Sequence, residues 1–292
     1  MGSLTWLTTL SLATLPPSGA EVIEWSPGIG GAPGYDNPHA ALGPPERFTG
    51  EDTEFASVVS PFSPAWRPDE IVSIGVGGHL TLALAAPAID DPDNLWGIDL
   101  IIFGNAGLID GAWPAGLCSG FFGGDGGQVL LSSDGTTWIE AIHAAADGGW
   151  PSLGWTDAGP YDTSPGTEPT DPTRPVDPTL NPDVLLGMTY EDIVGLYAGS
   201  SGGTGIDIGL LGLDQVQFIR FEVSDDAFLA VEIDAVVDAG ISANADLTGD
   251  GQVGVDDLLL ILAHWGETSG GDVTGDGQTD VDDLLHLLGV WS

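Results

Sequence analysis

Along most of the chain the apolar residues fall in short, β-branched runs bounded by Gly, Pro and Asp, at 71–76, 79–85, 98–103, 129–132, 216–223 and 229–237. Runs of this length with turn residues at both ends predict strands. Ser133-Asp134-Gly135-Thr136 is the best hairpin signal, because Asp-Gly supplies the positive φ angles of a tight turn. VLLS and TWIEAI flank it as strands. Many short strands and few helical stretches argue for a mainly β fold, a β-sandwich over residues 21–240.

The alternation lapses between about 144 and 187, where GPYDTSPGTEPTDPTRPVDPTLNP is too rich in Pro, Thr and Asp for a regular ladder. A long surface insertion is expected here, running to about 212 and including one short helix. Thr189 caps that helix with Asp192 at its third position, Ile193, Val194 and Leu196 form its buried side, and Gly199 stops it. A linker follows at 238–245, and beyond it the period becomes helical.

The last 47 residues contain a repeat. DLTGDGQVGVDDLLLILAHWG from Asp246 aligns with DVTGDGQTDVDDLLHLLGVWS from Asp272, an offset of 26 residues. Oxygen donors at loop positions 1, 3 and 5, glycine at 6 and a carboxylate at 12 make a calcium loop, because calcium takes six to eight hard oxygens and a tightly wound loop turns alternate side chains inward. In the first loop the donors are Asp246, Thr248, Asp250, the Gln252 carbonyl and Asp257; Gly251 makes the sharp turn. In the second they are Asp272, Thr274, Asp276, the Gln278 carbonyl and Asp283, with Gly277 at the turn. Position 9 is Gly254 in the first loop and Asp280 in the second, so the second is the better provided. Each loop leads into a helix with a matching apolar set: Leu258, Leu259, Ile261, Leu262 and Trp265, then Leu284, Leu285, Leu287, Leu288 and Trp291. The two helices are expected to bury these faces against each other.

Composition strengthens the cation reading. The chain of 292 residues carries 44 acidic residues against four arginines and no lysine, a net charge of −40. Such a surface repels nucleic acid and anionic membranes, whose binding needs basic residues. Residues 244–292 hold ten acidic residues and neither Lys nor Arg, so metal binding and folding are expected to be coupled there. The one cysteine, Cys118, leaves no intramolecular disulfide. The first twenty residues hold a short apolar run and then Ser18-Gly19-Ala20, small residues at −3 and −1 as a signal peptidase accepts, although a basic n-region is missing. The run is too short for a stable membrane span. Residues 1–20 are therefore read as a signal peptide, and the protein as extracellular or on the cell surface.

Residues 246–292 resemble the type I dockerin family, in which each repeat is a calcium loop with a single helix; Asp at position 12 is part of the resemblance. It implies an all-α, two-calcium module over 241–292, a cohesin-like partner and a setting of polysaccharide breakdown. Positions 10 and 11 are Val255-Asp256 and Val281-Asp282, not the small or hydroxylic pairs common in cellulosomal dockerins, so cohesin docking carries over less well than calcium binding. The larger region resembles a family of secreted and cell-surface bacterial β-sandwich proteins through GGHLTLAL, GIDLIIFGNA, VLLSSDGTTW, LYAGSSGGTGIDI and VEIDAVVD. The hairpin and closing IDAV strand are also similar to discoidin-type or galactose-binding jelly rolls, which implies architecture more than chemistry.

Catalytic motifs fail on context. Gly199-Ser200-Ser201-Gly202-Gly203 matches G-x-S-x-G and Gly116-Leu117-Cys118-Ser119-Gly120 its cysteine version, but neither has the strand before and helix after that a nucleophile elbow needs. His39, His79 and His143 are scattered without zinc spacing. Glu232 and Asp234 share one face of LAVEIDAVV, which the alternation places toward solvent, with a metal or sugar site at the sandwich edge as the alternative. Ten tryptophans include Trp113, Trp150 and Trp155 in loop-like surroundings, where an exposed indole can stack on a sugar. The resulting expectation is a secreted, calcium-binding module whose jelly-roll-like sandwich binds a glycan or surface partner and is tethered by its tail. The alternatives are a glycoside hydrolase or other polysaccharide-degrading enzyme, and a structural envelope or matrix protein.

Overall fold

The computed structural model describes residues 19–92, 94–239, 245, 247–248, 253–267, 270–271, 273 and 278–289. The chain divides into two compact units, a large one over Pro16–Gly240 and a C-terminal one over Ile241–Ser292. Of the expected signal segment only Gly19 and Ala20 are described, at the start of the first strand.

The large unit is mainly β and holds several sheets. Its strands are β1 (Gly19–Ser26), β2 (Phe48–Thr49), β3 (Ser57–Val58), β4 (Val72–Ile74), β5 (His79–Ile89), β6 (Leu100–Phe103) and β7 (Gly107–Asp110). They continue with β8 (Cys118–Phe122), β9 (Gln128–Ser132), β10 (Ile139–Glu140), β11 (Thr204–Ile206), β12 (Gln215–Glu222), β13 (Val231–Ile233) and β14 (Ala235–Asp238). One helix, α1 (Tyr190–Tyr197), precedes β11. The largest sheet runs β1-β5-β12-β9-β10 with every pair antiparallel; a second runs β11-β6-β14. β13 pairs with β4, β2 with β3 and β7 with β8.

Alternation along the strands builds the core. Leu80, Leu82 and Leu84 of β5, Val129 and Leu131 of β9, and Ile219 and Phe221 of β12 point to one face of the large sheet. They pack in a single buried cluster with Val72 and Ile74 of β4, Leu100 and Ile102 of β6, Val231 and Ile233 of β13, and Val236 of β14. Each fully buried side chain of this kind contributes about 1.5–3 kcal/mol. The other face of β6 is covered as well, since Ile101 and Phe103 join Ala235 and Val237 in a separate cluster. Two-sided burial explains why LIIF is an unbroken apolar run.

Three expectations need correction. The run 229–237 is not one strand: β13 pairs with β4 and β14 with β6, and the chain changes partner at Asp234. The hairpin is looser than Asp-Gly predicts, because the second strand starts at Ile139. Asp134 Oδ1 accepts the Thr136 and Thr137 amides at 2.7 and 2.8 Å, which holds the chain in a wider loop, and Trp138 lies 4.6 Å from the Arg220 guanidinium. The insertion at about 144–212 is also more than a surface loop. Trp150, Leu153, Val176, Leu185, Ile193 and Tyr197 form a second core with Phe62, Leu108 and Cys118, and β11 joins the sheet of β6. Within it, α1 follows its sequence signals: Thr189 Oγ1 accepts the Asp192 amide, and Ala198 and Gly199 take φ of 49° and 88° to end the helix.

The described residues of the C-terminal unit include two nine-residue helices, α2 (Val255–Ala263) and α3 (Val281–Gly289). Ile261 and Leu287 meet Ala245, Val253 and Val273 in a small core, with Leu258 partly buried against it. The expected mutual burial of the leucine faces is incomplete. Leu259 and Leu262 of α2 and Leu285 and Leu288 of α3 are exposed, as are Val255 and Val281. Helices this short pack along one stripe, so the second stripe stays outside. Among the described residues no helix is long and apolar enough to cross a membrane.

Candidate metal centres

Of the eleven loop donors, Asp246, Asp250, Gln252, Asp272, Thr274 and Asp276 lie outside the described residues. The other five are Thr248, Asp257, Gln278, Asp280 and Asp283. The helix starts put Asp257 and Asp283 at the third helical position of α2 and α3, where a side chain reaches back to the residue before the helix. Both do so alike: the Gly254 amide donates to Asp257 Oδ2 at 2.8 Å and the Asp280 amide to Asp283 Oδ2 at 2.7 Å. Asp257 Oδ1 also accepts the Thr248 amide at 2.9 Å and its hydroxyl at 3.0 Å, which links loop positions 3 and 12.

These two carboxylates are 1% and 0% exposed. Burial pushes the Asp257 carboxyl up, but the hydrogen bonds from Gly254 and Thr248 outweigh it and hold the group below its ordinary range. An ionised carboxylate out of water needs hydrogen bonds or compensating positive charge, and residues 244–292 contain no Lys or Arg.

The large unit brings two acidic groups together. In the first, Asp125 lies between β8 and β9, Asp147 follows β10, and Glu232 is the middle residue of β13; one carboxylate oxygen from each lies within 4.8 Å of the others. A two-way backbone bridge between Gly126 and Asp147 fixes the two loops. The Ala106 amide donates to Asp147 Oδ1 at 3.2 Å, and Ser73 Oγ donates to Glu232 Oε1 at 2.6 Å across the β4–β13 pair. Gly104 makes room for the Asp147 carboxylate, since a Cβ there would stand 2.3 Å from Oδ1. Asp147 is 0% exposed, and its Oδ2 is buried with no hydrogen-bond partner among the described residues. Burial pushes the Asp147 carboxyl up and the Glu232 charge adds to it; the Glu232 and Ala106 amides oppose them, and the group is left at about 8. Burial likewise raises Glu232 and Asp125.

In the second group, Asp90, Asp99 and Asp207 approach as closely. Buried Asp99 is engaged on both oxygens, however. Oδ1 accepts the Asp91 amide at 3.0 Å and Asn94 Nδ2 at 2.8 Å, and Oδ2 accepts the Ile208 amide at 3.0 Å. Its role is to tie the loop before β6 to the one after β11.

The Glu232 and Asp234 pair is not on a solvent face. Glu232 is half-buried in the acidic group, and Asp234 is 2% exposed, with the Glu46 amide donating to both its oxygens at 3.3 and 3.2 Å. Sequence periodicity drew attention to Glu232 but gave no sign of Asp125 or Asp147, which come from loops with no repeating pattern. The catalytic motifs are closed off: Ser200 and Ser201 are buried, Ser201 Oγ lies 2.8 Å from Thr170 Oγ1, and burial pushes the Cys118 thiol up. Among the loop tryptophans, Trp150 is buried and Trp155 half-buried beneath Arg47, whereas Trp113 is 74% exposed beside Tyr161, ring centres 6.4 Å apart. No protein-family model matches the chain, and no curated protein matches it.

Proposed function

We propose that this chain is an exported calcium-binding protein whose C-terminal unit is a dockerin-like module with two calcium loops. Its large unit is, in this reading, a jelly-roll-like β-sandwich that binds a glycan or surface partner. The observation that carries the reading is the matched burial of Asp257 and Asp283, at the same place in both repeats of a segment without Lys or Arg. Calcium would add a positive charge that no Lys or Arg of this segment supplies, and the donors at positions 1, 3, 5 and 7 would complete the coordination. The exposed stripe of Val255, Leu259 and Leu262, repeated as Val281, Leu285 and Leu288, favours a protein partner of the cohesin kind at this unit. Trp113 and Tyr161 offer a sugar ring an aromatic face on the large unit.

Asp147 beside Glu232 also has the raised pKa, about 8, of a general acid, as the hydrolase alternative requires. Asp147 is wholly buried, so no substrate oxygen reaches it, and binding is preferred to catalysis. The test is calcium titration of the full chain by calorimetry, with far-UV circular dichroism in calcium and in chelator. Helicity should rise with calcium, and Asp257→Ala with Asp283→Ala should remove two binding events. A double variant that binds as much calcium as the parent would end the reading.

A further inference from the structure

The acidic group of the large unit poses a problem that the fold does not solve by itself. Three carboxylates converge within 4.8 Å, and one of them, Asp147, is entirely buried, with Oδ2 unpartnered among the described residues. Elsewhere in this unit buried carboxylates are satisfied: Asp99 by three donors, and Glu70 by the Thr49 hydroxyl and the Gly50, Trp66 and Arg67 amides. Among the described residues no arginine–carboxylate ion pair includes Asp125, Asp147 or Glu232; the pairs formed are Arg67 with Asp69 and Arg220 with Glu24 and Glu222. The chain has no lysine to offer.

We propose that Asp125, Asp147 and Glu232 hold a calcium ion in the large unit, separate from the two loops of the tail. Oxygens that share one calcium at about 2.3–2.6 Å lie no more than about 5 Å apart, and the three carboxylates meet that limit. The donors are all hard oxygens, as calcium prefers. They come from two loops and a strand, and calcium tolerates such an irregular set better than magnesium, which demands near-ideal octahedral geometry. Three features fit a built site: the space at Gly104, the Ala106 amide that orients Asp147 through Oδ1 while Oδ2 stays unpartnered, and the Ser73 hydroxyl that orients Glu232. Asp125 and Glu232 are half-buried, so the group is not sealed from solvent. Bound there, calcium pins the β8–β9 loop and the segment after β10 onto β13.

The test uses the full chain with the tail loops disabled by Asp257→Ala and Asp283→Ala, titrated with calcium chloride by calorimetry at pH 7.5. One calcium per chain should remain, and the thermal midpoint of the large unit should rise on adding it. Asp147→Asn in this background should abolish the event. Asp125→Asn, at a half-exposed position safe for folding, should weaken it by about tenfold or more. A tail-disabled chain that takes up no calcium would overturn the proposal, and the three carboxylates would then be held by a shared proton. Unchanged binding in a folded Asp125→Asn variant would overturn it equally. The two readings fail separately: loss of calcium only with Asp125 or Asp147 leaves this site and removes the tail loops, and loss only with Asp257 and Asp283 does the reverse.

Discussion

Replacing Asp99 with alanine removes one carboxylate and leaves three donors without an acceptor: the Asp91 amide, Asn94 Nδ2 and the Ile208 amide. A buried donor without a partner costs about 1–3 kcal/mol. Two effects reduce the sum. Burial pushes the Asp99 carboxyl up, so removing it relieves a desolvation cost, and the half-buried neighbours Asp90 and Asp207 let water reach part of the vacated space. The net expectation for Asp99→Ala is about 3 kcal/mol, or about 6–12 °C in melting midpoint for a unit of this size. Asp99→Asn keeps one acceptor oxygen but turns an amide toward the Ile208 N–H, and should cost about 1–2 kcal/mol. Asp90→Asn and Asp207→Asn should stay within about 1 kcal/mol. Urea unfolding of the four variants, in calcium and again in chelator, measures this directly. An Asp99→Ala variant within about 1 kcal/mol of the parent would refute the hydrogen-bonding account. A cost that appears only in calcium would make Asp99 a metal ligand instead of a tie between loops.

Glu46 is pushed up to about 7 by burial first and then by the charges of Glu70, Glu51 and Asp69, and Asp234, which accepts the Glu46 amide, is raised in the same direction. A carboxyl whose folded value is raised favours folding below its unfolded value, and that contribution is lost as pH rises through the folded value. The urea midpoint in chelator should therefore fall between pH 5 and pH 8, less steeply in Glu46→Gln; a rising midpoint would contradict the burial of this pair. Trp113→Ala should leave stability within about 0.5 kcal/mol, since the indole is mostly in solvent. Retention on a polysaccharide that the parent binds should weaken by about tenfold or more, measured by affinity electrophoresis; equal retention would move the glycan face elsewhere.

Local pattern by itself determined a good part of this protein. The runs around β5, β9 and β12 are visible because neighbouring side chains on a strand point to opposite faces, so a buried face writes its own alternation, and β6 is visible as an unbroken apolar run because both its faces are buried. The ends of α1 are visible for a similar reason, since Thr189, Asp192 and Gly199 act on backbone groups a few residues away. The tandem loop pattern also needs only short-range spacing, because the calcium ion we propose for each loop would gather its oxygens from one short stretch of chain. What lay beyond the sequence is what depends on distant partners. The break at Asp234 arises because β13 and β14 belong to different sheets, and period two in 229–237 is the same whether or not the pairing changes. The insertion at 144–212 carries no regular period, yet Trp150, Ile193 and Tyr197 bury one another through contacts that no local rule encodes. The convergence of Asp125, Asp147 and Glu232 is of this kind. A surface carboxylate and a buried one look identical along a chain with 44 acidic residues, and only the packing of two loops on β13 removes the water from Asp147.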